Sequence, residues 1–307
     1  MSDRNIMWGA FILLVGVMVL LDLGLNRSSR QVTIREALYW SLLWVGLALA
    51  FNTGIYFTMG KQPALEFFAG YLIEKSLSVD NLFVFIMIFS TFGVKGELQT
   101  RVLKWGILGA LVMRVAFIYL GTEMLERFQG AFYFFGALLL YTAWKMAFSD
   151  EEALQPEDNP LVKLSRRFLT MTKRIRGDWF FTKKRGLLIA SPLFMVLLVV
   201  ESSDLMFAMD SIPAVFAITL DPFIVLTSNI FAIMGLRALY FLLAGVMGMF
   251  VYLKFGISFI LAFVGIKMVL VMQGVHIPIG WSLSVIVTTL LVAIVCSVRA
   301  SEAVETE

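Results

Sequence analysis

An all-α polytopic membrane protein is the fold class this sequence predicts, with about nine transmembrane helices and two inverted three-helix repeats among them. Three observations point there. Of its 307 residues 60% are hydrophobic and only 15% charged, where a soluble domain carries about 45–50% and about 25%. The apolar residues gather into runs of about 20, the length that crosses about 30 Å of hydrocarbon as a helix. The basic residues crowd into alternate loops, the bias that orients a chain in a membrane.

The first apolar run, residues 7–25, follows MSDRN with no small-residue cleavage site and reads as a membrane helix, not a removed signal. The second covers residues 37–59. The third, 65–93, is long and holds the polar insert EKSLSVDN; the fourth and fifth cover 102–123 and 128–148. A polar segment, 149–185, separates these from the sixth run, 186–220. The seventh, eighth and ninth cover 222–249, 253–272 and 277–298. The chain therefore divides into an N-terminal two-helix segment (1–64), a first repeat (65–148), a basic loop (149–185), a second repeat (186–272) and a final helix with its tail (273–307).

Arg27, Arg30 and Arg35 follow run one, and Lys95, Arg101 and Lys104 follow run three. Nine Lys and Arg lie between Lys163 and Arg185, while the opposite side has little beyond Arg4, Lys61 and Arg127. By the positive-inside rule the N-terminus is outside and the C-terminus cytoplasmic, in the inner or plasma membrane of the cell. Leu161, Leu164, Phe168 and Ile175 recur near helical spacing, so the basic loop is either an amphipathic stretch on an anionic cytoplasmic leaflet or an enforcer of topology. WFFTKKRG, at its end, reads as a short hairpin.

Composition excludes several functions. A net charge of +3 is too small to imply a nucleic-acid partner, and no prosthetic group is indicated. The single Cys296 permits no internal disulfide or thiolate cluster. The single His276, in an outer VHIP turn, rules out histidine-ligated zinc chemistry and leaves no base for a serine hydrolase, so no enzyme is expected.

What the composition leaves is a set of carboxylates in apolar runs. Glu201, Asp204 and Asp210 sit in run six, within ESSDLMFAMDSIP. A charge at mid-membrane costs roughly 2.5–3.5 kcal/mol, so such residues face a partner, a wet cavity or an ion. Glu74 and Asp80 stand six apart in run three as Asp204 and Asp210 do in run six, followed by Asn81 and Ser211. Arg114 and Lys145 then follow at a spacing of 31, and Arg237 and Lys267 at 30. Runs three to five and six to eight thus read as two copies of one unit. Three helices being odd, consecutive copies are inverted, and transporters of that build place substrate at the midplane.

The donor set is Glu74, Asp80, Asn81, Glu201, Asp204 and Asp210, with hydroxyls and backbone carbonyls. Oxygen donors suit Mn²⁺, Mg²⁺ or Ca²⁺ and disfavour copper and zinc; spacing does not choose among the three. Met206 and Met209 flank the carboxylates, where a thioether ligand would favour Mn²⁺, although helix packing is the commoner role of methionine. Pro213 predicts an unwound or kinked segment over 209–213 that turns Asp210 inward. The competing reading is internal ion pairing by Lys75, Arg114 and Arg237, which leaves two of the five carboxylates without partners. Lys145 and Lys267, near helix ends, read as snorkelling, and Asp22 and Glu66 as interfacial.

EKSLSVDNLFVF, VESSDLMFAMDSIPAVFA and LTSNIFAIMGLRALYFLL together resemble the TerC family of integral membrane proteins, in its Alx-type branch, over about Trp8 to Val298. The resemblance implies a bundle of inverted three-helix repeats and manganese efflux. It also implies that the family's acidic positions fall on the six donors named above. Met209 departs from the pattern, where a smaller aliphatic residue is expected. The expected function is export of a divalent cation, Mn²⁺ with Ca²⁺ as the alternative, by alternating access with proton coupling. The alternative is a metal-binding membrane partner that supplies Mn²⁺ to exported proteins or assists their insertion, without net transport.

Overall fold

The computed structural model describes residues 2–24, 33–94, 96–128, 130–148, 170–171, 179–184, 187–244, 252–275 and 277–305. The amphipathic stretch expected over 161–175 falls outside these, apart from two residues, as do Lys95 and His276, and so does the side chain of Asp80.

Ten helices carry the fold among the described residues: α1 (Ser2–Gly24), α2 (Ile34–Met59), α3 (Lys61–Thr91), α4 (Glu97–Arg127), α5 (Ala131–Phe148), α6 (Pro192–Phe216), α7 (Pro222–Ile233), α8 (Leu236–Ala244), α9 (Leu253–Met272) and α10 (Ile279–Glu305). Local chemistry sets several ends. Thr33 and Glu36 form a capping box at the start of α2, with Thr33 N donating to Glu36 Oε2 at 3.0 Å. Gly60, at φ 96°, turns α2 into α3. Asp221 caps α7 by accepting from Phe223 N at 2.9 Å.

The hairpin read from WFFTKKRG is present. β2 (Phe181–Lys184) pairs antiparallel with β3 (Leu187–Ala190), and β1 (Thr170–Met171) adds parallel to β3. This small sheet precedes α6.

Six helices are long and apolar enough to cross a membrane, and a seventh span results if α7 and α8 count as one bent segment. The other two of the nine expected are α1, whose apolar part is Met7–Asp22, and α3, which is long but interrupted by Glu74, Lys75 and Asp80. By length and composition alone the nine is therefore not reached. The α6 and α9 windows are 50% buried against 17% for α2 and 22% for α5 and α10, which puts α6 and α9 at the centre. The outer helices expose Leu42, Phe57, Phe134, Trp144 and Leu291, an apolar exterior that suits lipid better than water.

Helix pairing is reciprocal between the two halves of the bundle. α3 packs on α7 while α4 packs on α6; α3 also meets α6, and α5 meets α9 along its length. Gly136 and Gly265 let α5 and α9 approach so closely that a Cβ on either would lie 3.0–3.1 Å from the other's carbonyl oxygen. α10 lies against α9 and α3, and α2 against α3 and α8.

The irregular backbone expected in run six lies instead in run seven. α6 remains helical through Pro213 to Phe216. Pro213 sits in the final turn, where it costs the bond to Met209 O but leaves only three helical residues beyond it to redirect, and its own carbonyl accepts from Ala217 N at 3.1 Å. The excess length of that run is taken up by β3 and the turn after Phe216, not by a break. α7 and α8, by contrast, meet at 41° across Met234 and Gly235, with Gly235 at φ 83°.

Candidate cation site

Helices α3, α4, α6 and α7 bring their polar side chains to one buried point. α4 supplies Arg114, only 1% exposed. Its Nη1 lies 2.5 Å from Glu74 Oε1 and donates to Ser211 Oγ at 2.7 Å and to Asn229 Oδ1 at 2.9 Å. Its Nη2 stands 4.0 Å from Asp204 Oδ1. Asn229 is held in register because its Nδ2 donates to Val225 O at 3.0 Å. Asp204 Oδ2 and Arg114 Nε have no hydrogen-bond partner among the described residues, although both are buried.

Glu201, one turn before Asp204, faces a small cavity bordered by Phe85, Leu103, Ile107, Asp204 and Leu236, with about 20 Å³ open to the centre of a water molecule. That is room for about one water. The Glu201 carboxylate lies against Gly109, where a Cβ would collide with it. The site is therefore moulded by a missing side chain on α4.

The expected donors do not all meet. Glu74, Glu201 and Asp204 lie in or beside the Arg114 network. Asn81 is buried but stands about two turns, roughly 10 Å, further along α3 and takes no part in the Arg114 bonds. Asp210, six residues past Asp204, lies on another face of α6 and accepts from Thr142 Oγ1 of α5 at 2.8 Å. Among the described residues no three carboxylate, histidine or cysteine side chains converge on one point. Met206 and Met209, 63% and 49% exposed, lie on the outer face of α6 and bring no thioether to the carboxylates.

Ion pairing explains less than expected, and differently. Among the described residues only Arg114 forms an ion pair with the acidic motifs. Lys75 donates to the carbonyls of Ala232 and Met234 at 3.1 and 3.5 Å, and so satisfies the backbone freed by the α7–α8 break. Arg237 pairs with Asp22 at 3.0 Å, both buried, so Asp22 has a structural task that its place near a helix end did not require: it anchors α1 to α8. Lys267 does not snorkel: it is 5% exposed and donates to Ser282 Oγ of α10 at 3.0 Å. Asn229, Thr142 and Gly109 belong to these contacts without standing among the expected donors. A lone amide in the apolar run LTSNIFAI was the available signal for the first; the others carry none that a single sequence shows.

Apolar helices of membrane length around a buried carboxylate–guanidinium network define a multi-pass membrane protein with an internal charged site. The particular family is evident from sequence comparison: the chain belongs to the integral membrane protein TerC family, whose profile matches residues 59–305. It is 50% identical to an Escherichia coli protein named "Putative membrane-bound redox modulator Alx", over 92% of this chain and 90% of that one. A Photorhabdus laumondii protein of the same name is 46% identical over 98% and 97%. The "Thylakoid membrane protein TERC, chloroplastic" of Arabidopsis thaliana is 44% identical over 89% of this chain and 71% of its own. No solved structure matches.

Proposed function

We propose that the chain exports a divalent cation, Mn²⁺ foremost, from the cytoplasm by alternating access. The observation that carries this reading is the charge of the buried cluster. Glu74 and Asp204 flank Arg114 and Glu201 lies one turn away beside Asp204, so that, ionised, the three acids outnumber the guanidinium by two charges without converging on one point, in a setting that does not tolerate it. One divalent cation neutralises it; so do two protons, which makes proton exchange the natural coupling. All the donors are oxygens, which suit Mn²⁺ or Ca²⁺.

The reciprocal packing of α3 with α7 and α4 with α6 supports the inverted-repeat reading, with α7 and α8 together as one span and α1 and α3 as spans. In that frame Asp80 and Asp210 are the repeat-related pair, and Asn81 completes the donor set on α3 as further stations along the path. The N-terminus lies outside the inner membrane and the C-terminus in the cytoplasm.

The relatives' name assigns them a redox role. With one cysteine this chain holds no dithiol of its own.

The test is metal uptake into proteoliposomes for Mn²⁺, Ca²⁺, Mg²⁺ and Zn²⁺ with a pH-sensitive dye inside. Mn²⁺ flux with opposite proton movement is expected, and Asp80→Asn and Asp210→Asn are expected to lose most of it. Wild-type flux in either variant removes that residue from the site. Tight Mn²⁺ binding without flux overturns export in favour of a partner that supplies metal to exported proteins.

A further inference from the structure

We infer that Arg114 is a tethered counter-cation: its guanidinium occupies the acidic site and is displaced by the incoming metal ion, then returns to drive the ion out. This rests on the export reading above and goes beyond it, because it assigns the release step to a residue that is not a ligand.

A purely structural arginine in a buried pocket is expected to make a fork, two nitrogens bonded in parallel to one carboxylate. Arg114 does not. Nη1 gives its two hydrogens to the neutral acceptors Ser211 and Asn229 and meets Glu74 only as an ion pair, so that both Glu74 carboxylate oxygens are buried without a hydrogen-bond partner among the described residues. Nη2 reaches Asp204 only at 4.0 Å, and Nε has no partner among the described residues. The deficit is mirrored on the acid, since Asp204 Oδ2 is buried and unbonded. Buried polar atoms are rarely left so. Donor and acceptor are both short of partners, the pattern of a pair held apart by competing contacts.

The neutral acceptors supply what a displaced guanidinium needs. Ser211 Oγ and Asn229 Oδ1 already bond to it, and Asn229 is fixed by its own bond to Val225 O. A metal ion taken up by Glu74 and Asp204 can therefore push Arg114 off the carboxylates without leaving it unbonded. With the metal in place, the guanidinium is a positive charge at close range, which weakens binding and favours release. Lys75 is not available for this role, as its ammonium is committed to Ala232 O and Met234 O.

The prediction separates affinity from turnover. Arg114→Gln keeps hydrogen-bonding capacity and removes the competing charge, so by calorimetry in detergent it is expected to bind Mn²⁺ about tenfold tighter, the low end of close charge-pair coupling. In proteoliposomes the same variant is expected to show a lower KM and a maximal rate reduced about tenfold, as a site that binds too well releases slowly. Arg114→Lys keeps the charge with fewer contacts and is expected to fall between wild type and Arg114→Gln on both readouts. A merely structural role gives the opposite sign, weaker binding together with slower transport. If Arg114→Gln does not fold, Arg114→Lys decides alone: tighter binding than wild type supports the inference, equal or weaker binding overturns it. Wild-type flux with unchanged affinity in the folded variants overturns the counter-cation and leaves export standing. Absence of flux from wild-type vesicles overturns export itself.

Discussion

At the scale of single residues, the site depends on a pairing and a gap. The pairing is Glu74 with Arg114, both essentially inaccessible. Removing one member of a buried ion pair leaves the other uncompensated, at a cost of about 3–5 kcal/mol. Glu74→Gln is therefore expected to lower the melting temperature in detergent markedly, and adding Arg114→Gln to recover part of it; additive losses in the double-mutant cycle would show that the two do not interact. The gap is Gly109. A methyl there would occupy the position of the Glu201 carboxylate. Gly109→Ala is expected to weaken Mn²⁺ binding about tenfold with the fold retained, within an overpacking cost of about 1–3 kcal/mol. Gly106→Ala is the control, because its added Cβ would meet only Val200 at 3.4 Å. Equal affinity in both variants would show that the position of Glu201 does not matter. Glu74, Glu201 and Asp204 were legible in the sequence because a carboxylate in an apolar run needs a reason. Gly109 was not, since a glycine is tolerated in membrane helices without one; Asn229 offered only the weaker signal of a lone amide in an apolar run.

At the scale of elements, the bundle keeps its irregular backbone where the side chains repair it. The α7–α8 break at Gly235 exposes carbonyls that Lys75 caps from α3. Lys75→Met preserves volume but removes a charged donor, and is expected to cost about 1.5–3 kcal/mol, read as a lower melting temperature. No loss of stability would mean that the freed carbonyls find other donors. The sequence points to Pro213 as the irregularity, because proline is the strongest local breaker of a helix. The structure places it at a glycine, for two reasons. Pro213 falls three residues before the end of α6, so a kink there has little helix left to redirect, and Gly235 sits against Trp44, with room for no Cβ: one added there would lie 2.6 Å from the ring. Neither reason is local in sequence.

At the scale of the whole molecule, the loop charges make a prediction about orientation. A fluorescent protein fused after Glu307 is expected to mature in the cytoplasm, and a periplasm-dependent phosphatase inserted between residues 150 and 160 to stay inactive. The reverse pattern would invert the direction of transport proposed above. Asp22 and Arg237 also act at this scale: their buried pair ties α1 to α8, the segment beyond the break. Their contact joins residues 215 apart in the chain, a distance at which hydropathy gives no guidance.

By itself the sequence determined that this is a multi-pass helical membrane protein, roughly where its apolar segments run, and which carboxylates stand out as expensive. Those are properties of composition and short-range periodicity, and each residue carries its share. Only the tertiary structure decided which acids meet. A six-residue spacing along α6 separates Asp204 from Asp210 around the helix, so Asp204 joins Glu74 at Arg114 while Asp210 turns to Thr142 on α5. It also decided which basic residue serves them: Arg114 and not Lys75 or Arg237, because partnership depends on how four helices cross.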